Sequence, residues 1–541
     1  MRRILFAFCL LLPLVVVSQT VGVTHFDTAA VDGYMLLAPM PNETTYLVDN
    51  CGRVCHTWTD SLQPGLETVL LADGSLLRAS RVVSASFGGA GAGGRIARFD
   101  WDGNLLWEYY VADSLQHSHH DIEWMPNGNV LVVAWESHTE ADAIANGRNP
   151  STVTGRIWSE KVMELRPIGT DSAEVVWEWR VWDHLVQDFD AGQANFAVVA
   201  SEPRKVDLNF PPTATATDWL HINGVAYHEG YDQIVLSVHH RSEIWIIDHS
   251  TTTAEAAGST GGRYGHGGEL LWRWGNPSAY DRGTIADKKL FSQHDARWIP
   301  DSLPEGGGIM VFNNGFNRPG DDYSTIEIIA PPMDSAGWYT DPGTSPFGPA
   351  APFWNYTAPV PTDFYSINIS GATRLADGST FICAGDNGEI FEINAAKELV
   401  WRYVNPVSAF GIVSQGTTPT ANQVFRSYKI LPDDPALAGR TLTPGDRIEL
   451  MPDPLPAACI STHTTAPQVA GVRVSRNAFG EVRLHLDGPA TDALLLDAAG
   501  RQLRSLWLQP GDNLLPFEGL AGGLYFLHLP DLHTTLKLQQ P

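Results

Sequence analysis

Charge is scarce in this chain: only 18% of its 541 residues are Asp, Glu, Lys or Arg, and acidic side chains outnumber basic ones 61 to 35. So little charge excludes a disordered solvating chain and a coiled coil. A net charge of -26 excludes nucleic acid as the partner, since a phosphate backbone needs a positive surface. Acidity says little more, because exported proteins are often acidic simply to stay soluble. Long apolar runs are missing as well. Only Ile4 to Val17, with Arg2-Arg3 before it and Ser18-Gln19 after it, approaches one, and it has the layout of a secretory signal peptide over residues 1–18. Nothing else nears the about 18 apolar residues of a membrane helix, so no transmembrane segment is expected. Cysteine is sparse, five in all; Cys9 leaves with the signal peptide, and Cys51, Cys55, Cys383 and Cys459 remain. In an oxidising compartment these suggest disulfides, and Cys51 with Cys55 is expected to close a small loop around Gly52. The sequence leaves the pairing of the other two open.

Tryptophan, by contrast, is abundant, at 18 residues. Six segments share two mostly apolar residues, then Trp, any residue and an aromatic: those around Trp58, Trp107-Tyr109, Trp177-Trp179, Trp272-Trp274, Trp354-Tyr356 and Trp401-Tyr403. Such alternation is a strand with one buried face. In the first copy His56 takes the place of a Trp, which makes it a repeat position rather than a haem ligand. Interleaved with these strands are hairpin signals, such as Leu71 to Leu76, Trp124 to Leu131 and Leu375 to Phe381, each turning at Asp-Gly or Asn-Gly. Hairpin plus cadence strand, repeated about six times, predicts an all-β chain: a six-bladed β-propeller over residues 19–460. The strand near Tyr34 to Ala38 and one near Asp446 to Leu450 are expected to close the ring.

After Cys459 the character changes. Residues 461–471 are a polar, Thr-rich linker, and 472–541 carry short apolar strands that predict a small β-sandwich. Leu496-Asp497-Ala498-Ala499-Gly500-Arg501 and the run Gly519 to His528 resemble the C-terminal sorting domain of the type IX secretion system. The resemblance implies export through the periplasm to the cell surface or beyond, with that secretion machinery as a partner.

Position singles out three of the 18 histidines. His120, His221 and His294 stand four residues before Trp124, Val225 and Trp298, so each opens the inner hairpin of a different blade. Equal register in a propeller means convergence at one mouth of the axis, and Asn223 shares a strand face with His221. Three imidazoles suit zinc or a nucleophilic site. The nearby Asn223, Gln293, His239 and Arg241 are neutral or cationic, which favours an anionic ligand over a metal, and no cofactor is expected.

The segments Asp218 to Val225, Ile234 to Asp248, Gln293-His294-Asp295, His119 to Asn129, Asn313-Asn314-Gly315 and Trp272 to Pro277 resemble the bacterial arylsulfate sulfotransferases, from about Gly33 to about Leu450. The resemblance implies an exported six-bladed propeller that moves a sulfuryl group from a phenolic sulfate ester to a phenol by a ping-pong route, without a nucleotide donor. It implies that His294 takes the sulfuryl group, that His120 and His221 assist, and that Asn223, His239, Arg241 and Asn313 bind substrate. One departure stands out: His239 occupies the place of a family arginine two residues after Ser237, and Arg241 lies two further on. The competing readings are a non-catalytic propeller that binds an aromatic or sulfated ligand, and a different propeller enzyme.

Overall fold

The computed structural model describes residues 19–456 and, beyond them, 459, 472–476, 482–486, 488–497, 501–516, 520, 523–530 and 534–540. The signal-peptide segment 1–18 and the linker 461–471 lie outside the described residues. The chain divides into two compact units, Met1–Pro454 and Leu455–Pro541. The all-β expectation holds, with helix confined to short pieces such as Glu140–Ala145 and Thr253–Ala256. Among the described residues no helix is long and apolar enough to cross a membrane.

The larger unit carries six antiparallel sheets of four or five strands. Sheet one runs Val424–Ile430, Tyr34–Pro39, Thr44–Asp49, Val54–Thr59, and sheet two Pro64–Leu70, Leu76–Arg81, Gly94–Phe99, Leu105–Tyr110. Sheet three runs Gln116–Trp124, Val130–Thr139, Arg156–Ile168, Ser172–Arg180, and sheet four Ile222–His228, Gln233–Val238, Glu243–Asp248, Trp272–Trp274. Sheet five runs His294–Trp298, Ile309–Asn313, Thr325–Ile329, Trp354–Tyr356. Sheet six runs Gly371–Arg374, Thr380–Ala384, Glu389–Ile393, Leu399–Val404, with Gly22–Phe26 added at its outer edge. First strands of successive sheets touch in order from one to six and back to one. Six apolar clusters fill the spaces between sheets, each built from two neighbours.

All six cadence segments form the fourth strand of a sheet, and the reason for tryptophan there is visible in its hydrogen bonds. Trp58 Nε1 donates to the Asp100 carbonyl at 3.1 Å, Trp107 to Ser172 at 2.8 Å and Trp179 to Gly268 at 2.7 Å. Trp272 donates to the Gly348 carbonyl at 2.8 Å, Trp274 to Pro349 at 2.7 Å and Trp401 to Asn50 at 2.8 Å. Every acceptor lies in the connection between the third and fourth strands of the next sheet, except Ser172, which opens the fourth strand itself. The indole thus fills the space between two sheets and satisfies its one donor on the neighbour's backbone, which Phe cannot do. Each such burial contributes about 4–6 kcal/mol of apolar transfer, an upper bound. Trp354 keeps the pattern differently, with Lys397 of the next sheet 4.9 Å above its ring. His56 does too: its Nε2 meets the Trp101 carbonyl at 2.7 Å and its ring stacks on Trp101.

Two expectations change. Tyr34–Pro39 pairs with Val424–Ile430, not with residues near Asp446 to Leu450, which make only isolated bridges. Cys51 and Cys459 are disulfide-bonded while Cys55 and Cys383 are free thiols, so no disulfide closes the loop around Gly52. Cys55 lies in the fourth strand of sheet one, whose pairing with Thr44–Asp49 fixes its course independently of Cys51.

In the smaller unit, Val472–Arg476, Val482–Leu486 and Gly511–Leu514 form one sheet. Gln502–Leu508, Thr491–Asp497, Gly523–Leu529 and Thr534–Gln540 form another. Val482, Leu484 and Leu486 of the first share a buried cluster with Ala493, Leu495, Leu508 and Leu527 of the second.

Candidate active site

His294 begins its first strand, His221 immediately precedes Ile222–His228 and His120 lies within Gln116–Trp124, and beside each of them the pairing with the second strand slips register. A bulge at that point bends the strand and re-aims the side chain. His120 and His221 themselves take the left-handed conformation, at φ 55° and 56°, while beside His294 it falls on Asp295, at 55°. The residue after His120 and the one after His294 do the same work. Asp121 accepts the Val225 N–H of the next sheet at 2.8 Å, and Asp295 accepts that of Ala372 at 3.0 Å.

The three positions converge. His120, His221, His239, His240 and His294 line one cavity of about 400 Å³ with Leu66, Gly91, Ile369 and Asp386. Ring centroids are 4.4 Å apart for His120 and His221, 5.2 Å for His221 and His239, and 5.2 Å for His239 and His294. Gly91, at φ 81°, lies so close to His120 that a Cβ there would sit 2.0 Å from its Cε1. A larger cavity of about 540 Å³, lined by Glu123, His228, Arg297 and Trp298, holds none of the predicted residues.

Each imidazole is wired differently. His294 Nδ1 lies 2.8 Å from Asn314 Oδ1, and the Asn314 amide donates to the Ser366 and Ile369 carbonyls at 2.8 and 3.0 Å. The amide is thereby oriented with its oxygen toward His294, so Nδ1 carries the proton. Nε2 is left with a lone pair, which accepts the Ile369 N–H at 3.2 Å. Burial, the dominant influence, brings His294 down to about 3, so the ring is neutral near pH 7. His221 Nδ1 lies 2.5 Å from Asp218 Oδ2. Burial tends to raise the Asp218 carboxyl, but the charge and hydrogen bond of His221 outweigh it and hold the group below the ordinary carboxylate range. His120 Nδ1 faces His119 Nδ1 at 2.8 Å, and His119 Nε2 faces Glu160 Oε2 at 2.7 Å. Burial and neighbouring imidazoles push His120 and His239 well below the ordinary histidine range, and burial brings His240 to about 4. His239 Nδ1 is buried without a hydrogen-bond partner, a free polar atom at the cavity wall.

Three residues expected to bind substrate do not line this cavity. Asn223 turns its amide to the Gln293 carbonyl at 2.9 Å. Asn313 is spent on the Phe291 N–H, the Lys289 carbonyl and Glu327. Arg241 stacks on Trp219 and Phe210, 4.6 and 5.3 Å from the ring centroids, and donates to the Asp207 carbonyl at 3.0 Å. The region from Ile234 to Asp248 is not one strand but a hairpin, with a 3-10 turn at His239–Arg241, so the two-residue periodicity fails there. Asn314, Asp218, His119, His240 and Glu160 are the additions. Asp218 stands one turn before His221, a legible acid–histidine spacing; Glu160 comes from another strand and carries no local signal.

Asn314 supplies a direct test of the wiring. Asn314→Ala removes the acceptor that fixes the His294 tautomer, and turnover is expected to fall about 10–100-fold, as for other orienting partners of a working imidazole. Steady-state rates beside an unchanged circular dichroism spectrum check it.

No curated protein matches the chain. Among solved structures, a protein of unknown function from Bacteroides caccae is similar at 10% identity and TM-score 0.40, over 74% of this chain and 99% of that one. A streptogramin B lyase is similar at 10% identity and TM-score 0.33, over 71% and 87%. A putative 6-phosphogluconolactonase from Bacteroides fragilis is similar at 9% identity and TM-score 0.33, over 74% and 99%. Likeness of this strength says nothing about activity. A family model does bear on it, that of the arylsulfotransferases, which matches residues 27–406 and so spans sheets two to five, three of the four strands of sheet one and four of the five strands of sheet six. With the imidazole-lined cavity inside that match, the chain belongs to the arylsulfotransferase family, a membership that supports sulfuryl transfer with aryl substrates.

Proposed function

We propose that the protein is an arylsulfate sulfotransferase that moves a sulfuryl group from a phenolic sulfate ester to a phenolic acceptor in two half-reactions, without a nucleotide donor. The observation that carries this reading is the His294 tautomer: proton on Nδ1 against Asn314, lone pair on Nε2 at the cavity. The neutral Nε2 gives up the Ile369 N–H and attacks sulfur, the bond from sulfur to the phenolic oxygen breaks, and the sulfuryl group rests on Nε2. The Nδ1 proton, donated to Asn314 Oδ1, stabilises the ring charge that results. The donor phenol leaves, a second phenol enters, and its oxygen displaces the histidine. His221 and His239 face the sulfuryl oxygens as preplaced donors, which lowers the barrier where charge develops, and His120 faces the phenolic oxygen.

In this reading the six sheets are the blades of a propeller, and the cavity lies at one mouth of its axis. Residues 472–541 form a sandwich-like sorting domain, and residues 1–18 direct export to the cell surface or medium. Disulfide-bonded Cys51 and Cys459 suit such an oxidising compartment. Mass spectrometry of the exported protein is expected to find it without residues 1–18.

The test of the transfer reading is a chromogenic aryl sulfate with and without a phenol. Phenol release that requires the acceptor supports it. No release in either case, across about pH 5–9 around the ordinary histidine range, leaves a cavity that only binds.

A further inference from the structure

Behind His120, and outside the cavity, lies a chain of hydrogen-bonded titratable groups that the transfer reading does not use. His119 follows the same first strand with its ring turned away from the cavity, stacked on Trp135 at 4.0 Å. Its Nδ1 meets His120 Nδ1 at 2.8 Å and its Nε2 meets Glu160 Oε2 at 2.7 Å. Glu160 and His119 are fully buried, with side chains 0% exposed. The other oxygen of Glu160, Oε1, accepts the Ile222 N–H at 3.0 Å. The carboxyl therefore has one oxygen that accepts from backbone and one that faces an imidazole nitrogen.

We propose that Glu160 and His119 are a buried proton relay that makes His120 the acid toward the departing phenol and the base toward the arriving one. This rests on the transfer reading above.

The proton positions follow from the contacts. Two Nδ1 atoms at hydrogen-bond distance share one proton. With the acid proton on Glu160 Oε2 and donated to His119 Nε2, the His119 proton must sit on Nδ1 and point at His120 Nδ1. His120 then carries its own proton on Nε2, which no group among the described residues binds. The surroundings favour this neutral arrangement: burial, with Asp218 and Glu136 nearby, holds Glu160 well above the ordinary carboxyl range, and burial holds His119 well below that of histidine. His120 faces His221, His239 and His294 across the cavity, and these disfavour a lasting positive charge on it. A relay solves this, because no ring in it needs to hold two protons after the step.

As the bond from sulfur to oxygen breaks, the electron pair stays on the phenolic oxygen, which takes the Nε2 proton of His120. His120 Nδ1 takes the His119 Nδ1 proton, and His119 Nε2 takes the Glu160 proton. The negative charge that entered on the sulfate ester now rests on Glu160, while the sulfuryl group and the His294 imidazolium balance each other. When the acceptor phenol gives its proton to His120 Nε2, the same three transfers run backward. Its oxygen bonds to sulfur, and the electron pair of the broken bond returns to His294 Nε2. Asp218 is ionised where Glu160 is neutral, and two carboxyl groups pushed apart in this way mark different tasks. His221, backed by Asp218, holds sulfuryl oxygens, and His120, backed by the relay, moves the proton.

The test is Glu160→Gln in the full-length protein, whose amide reproduces both hydrogen bonds but releases no proton. The first half-reaction is followed as phenol release from a series of aryl sulfates of graded leaving-group pKa. The expected result is a loss of about 100-fold for unsubstituted phenyl sulfate and less than about 3-fold for a nitrophenyl sulfate that leaves unaided, within the span of general acid catalysis. His119→Phe keeps the stacking on Trp135, cuts the relay and is expected to give the same leaving-group-selective loss. Thermal midpoints of both variants report folding separately. An equal loss across all leaving groups, or none, in folded variants overturns the relay while leaving the transfer reading intact. A wild-type protein that releases no phenol from any aryl sulfate overturns both.

Discussion

His294→Ala is expected to lower acceptor-dependent phenol release by at least about 10⁴-fold, the scale on which loss of an enzyme nucleophile acts. Neighbouring histidines do not compensate. His120 has its Nδ1 against His119 and His221 has its Nδ1 against Asp218, whereas His294 has its proton held on Nδ1 by Asn314 and an Nε2 lone pair engaged only by the backbone N–H of Ile369, a cavity-lining residue. The fold is expected to survive, because loss of the ring enlarges the cavity that His294 and Ile369 line and lets water reach the two freed partners, the Ile369 N–H and Asn314 Oδ1. Acid stability should move in an informative direction. The folded pKa of His294, about 3, lies below the ordinary 6.5, so between these values the unfolded state binds more protons and stability falls as pH falls. Each pH unit in that window costs up to about 1.4 kcal/mol per such group. His294→Ala removes this share, so urea midpoints of the variant should drop less than those of the wild type between pH 6.5 and 4. Loss of turnover with an unchanged acid slope contradicts a neutral buried His294.

The scaffold was legible because it repeats. The tryptophan cadence marked the fourth strand of each of the six sheets of the larger unit, since an indole both fills the gap between sheets and bonds the neighbour's backbone, a demand met at five of the six junctions. His120, His221 and His294 were legible through equal placement before successive hairpins, and His239 through the family resemblance, where it stands in an arginine's place. What failed did so where chain direction changes. Asn313 ends a strand and Asn314 is the next residue, so alternation turns one side chain to Glu327 and the other to His294. Arg241 was placed on a continuous strand, but the chain turns at His239–Arg241 and carries the guanidinium to Trp219. The closing strand Val424–Ile430 was missed because Arg426 and Tyr428 interrupt its apolar character, and only the assembled ring supplies partners for them.

Those partners make Arg426 the position where a substitution should cost the most stability. Its Nη1 lies 2.8 Å from both Glu67 and Asp121, and its Nε lies 3.1 Å from Asp295, with all four side chains at most 3% exposed. Arg297 binds Asp295 and the Tyr428 hydroxyl, and Tyr428 in turn donates to Glu67. First strands of sheets one, two, three and five thus meet on one guanidinium. Arg426→Met leaves three buried carboxylates with a single remaining cation, and breaking such a network by removing one partner costs about 3–5 kcal/mol. Arg426→Lys should recover only part, since a compact ammonium lacks the fork that reaches three acceptors. The sign with pH is fixed by the stranded acids. Glu67 is already raised to about 7 by burial, against the pull of Arg426. Without that pull Glu67 holds its proton to still higher pH, and a group whose folded pKa is raised loses stability as pH rises toward that value. The deficit of Arg426→Met should therefore be smallest near pH 5 and grow toward pH 8, as read by urea unfolding across that range. A constant deficit means that the carboxyls are neutralised by something other than Arg426. Because Asp121 and Asp295 directly follow His120 and His294, the same substitution should also disturb the imidazoles, and turnover should recover on acidification together with stability.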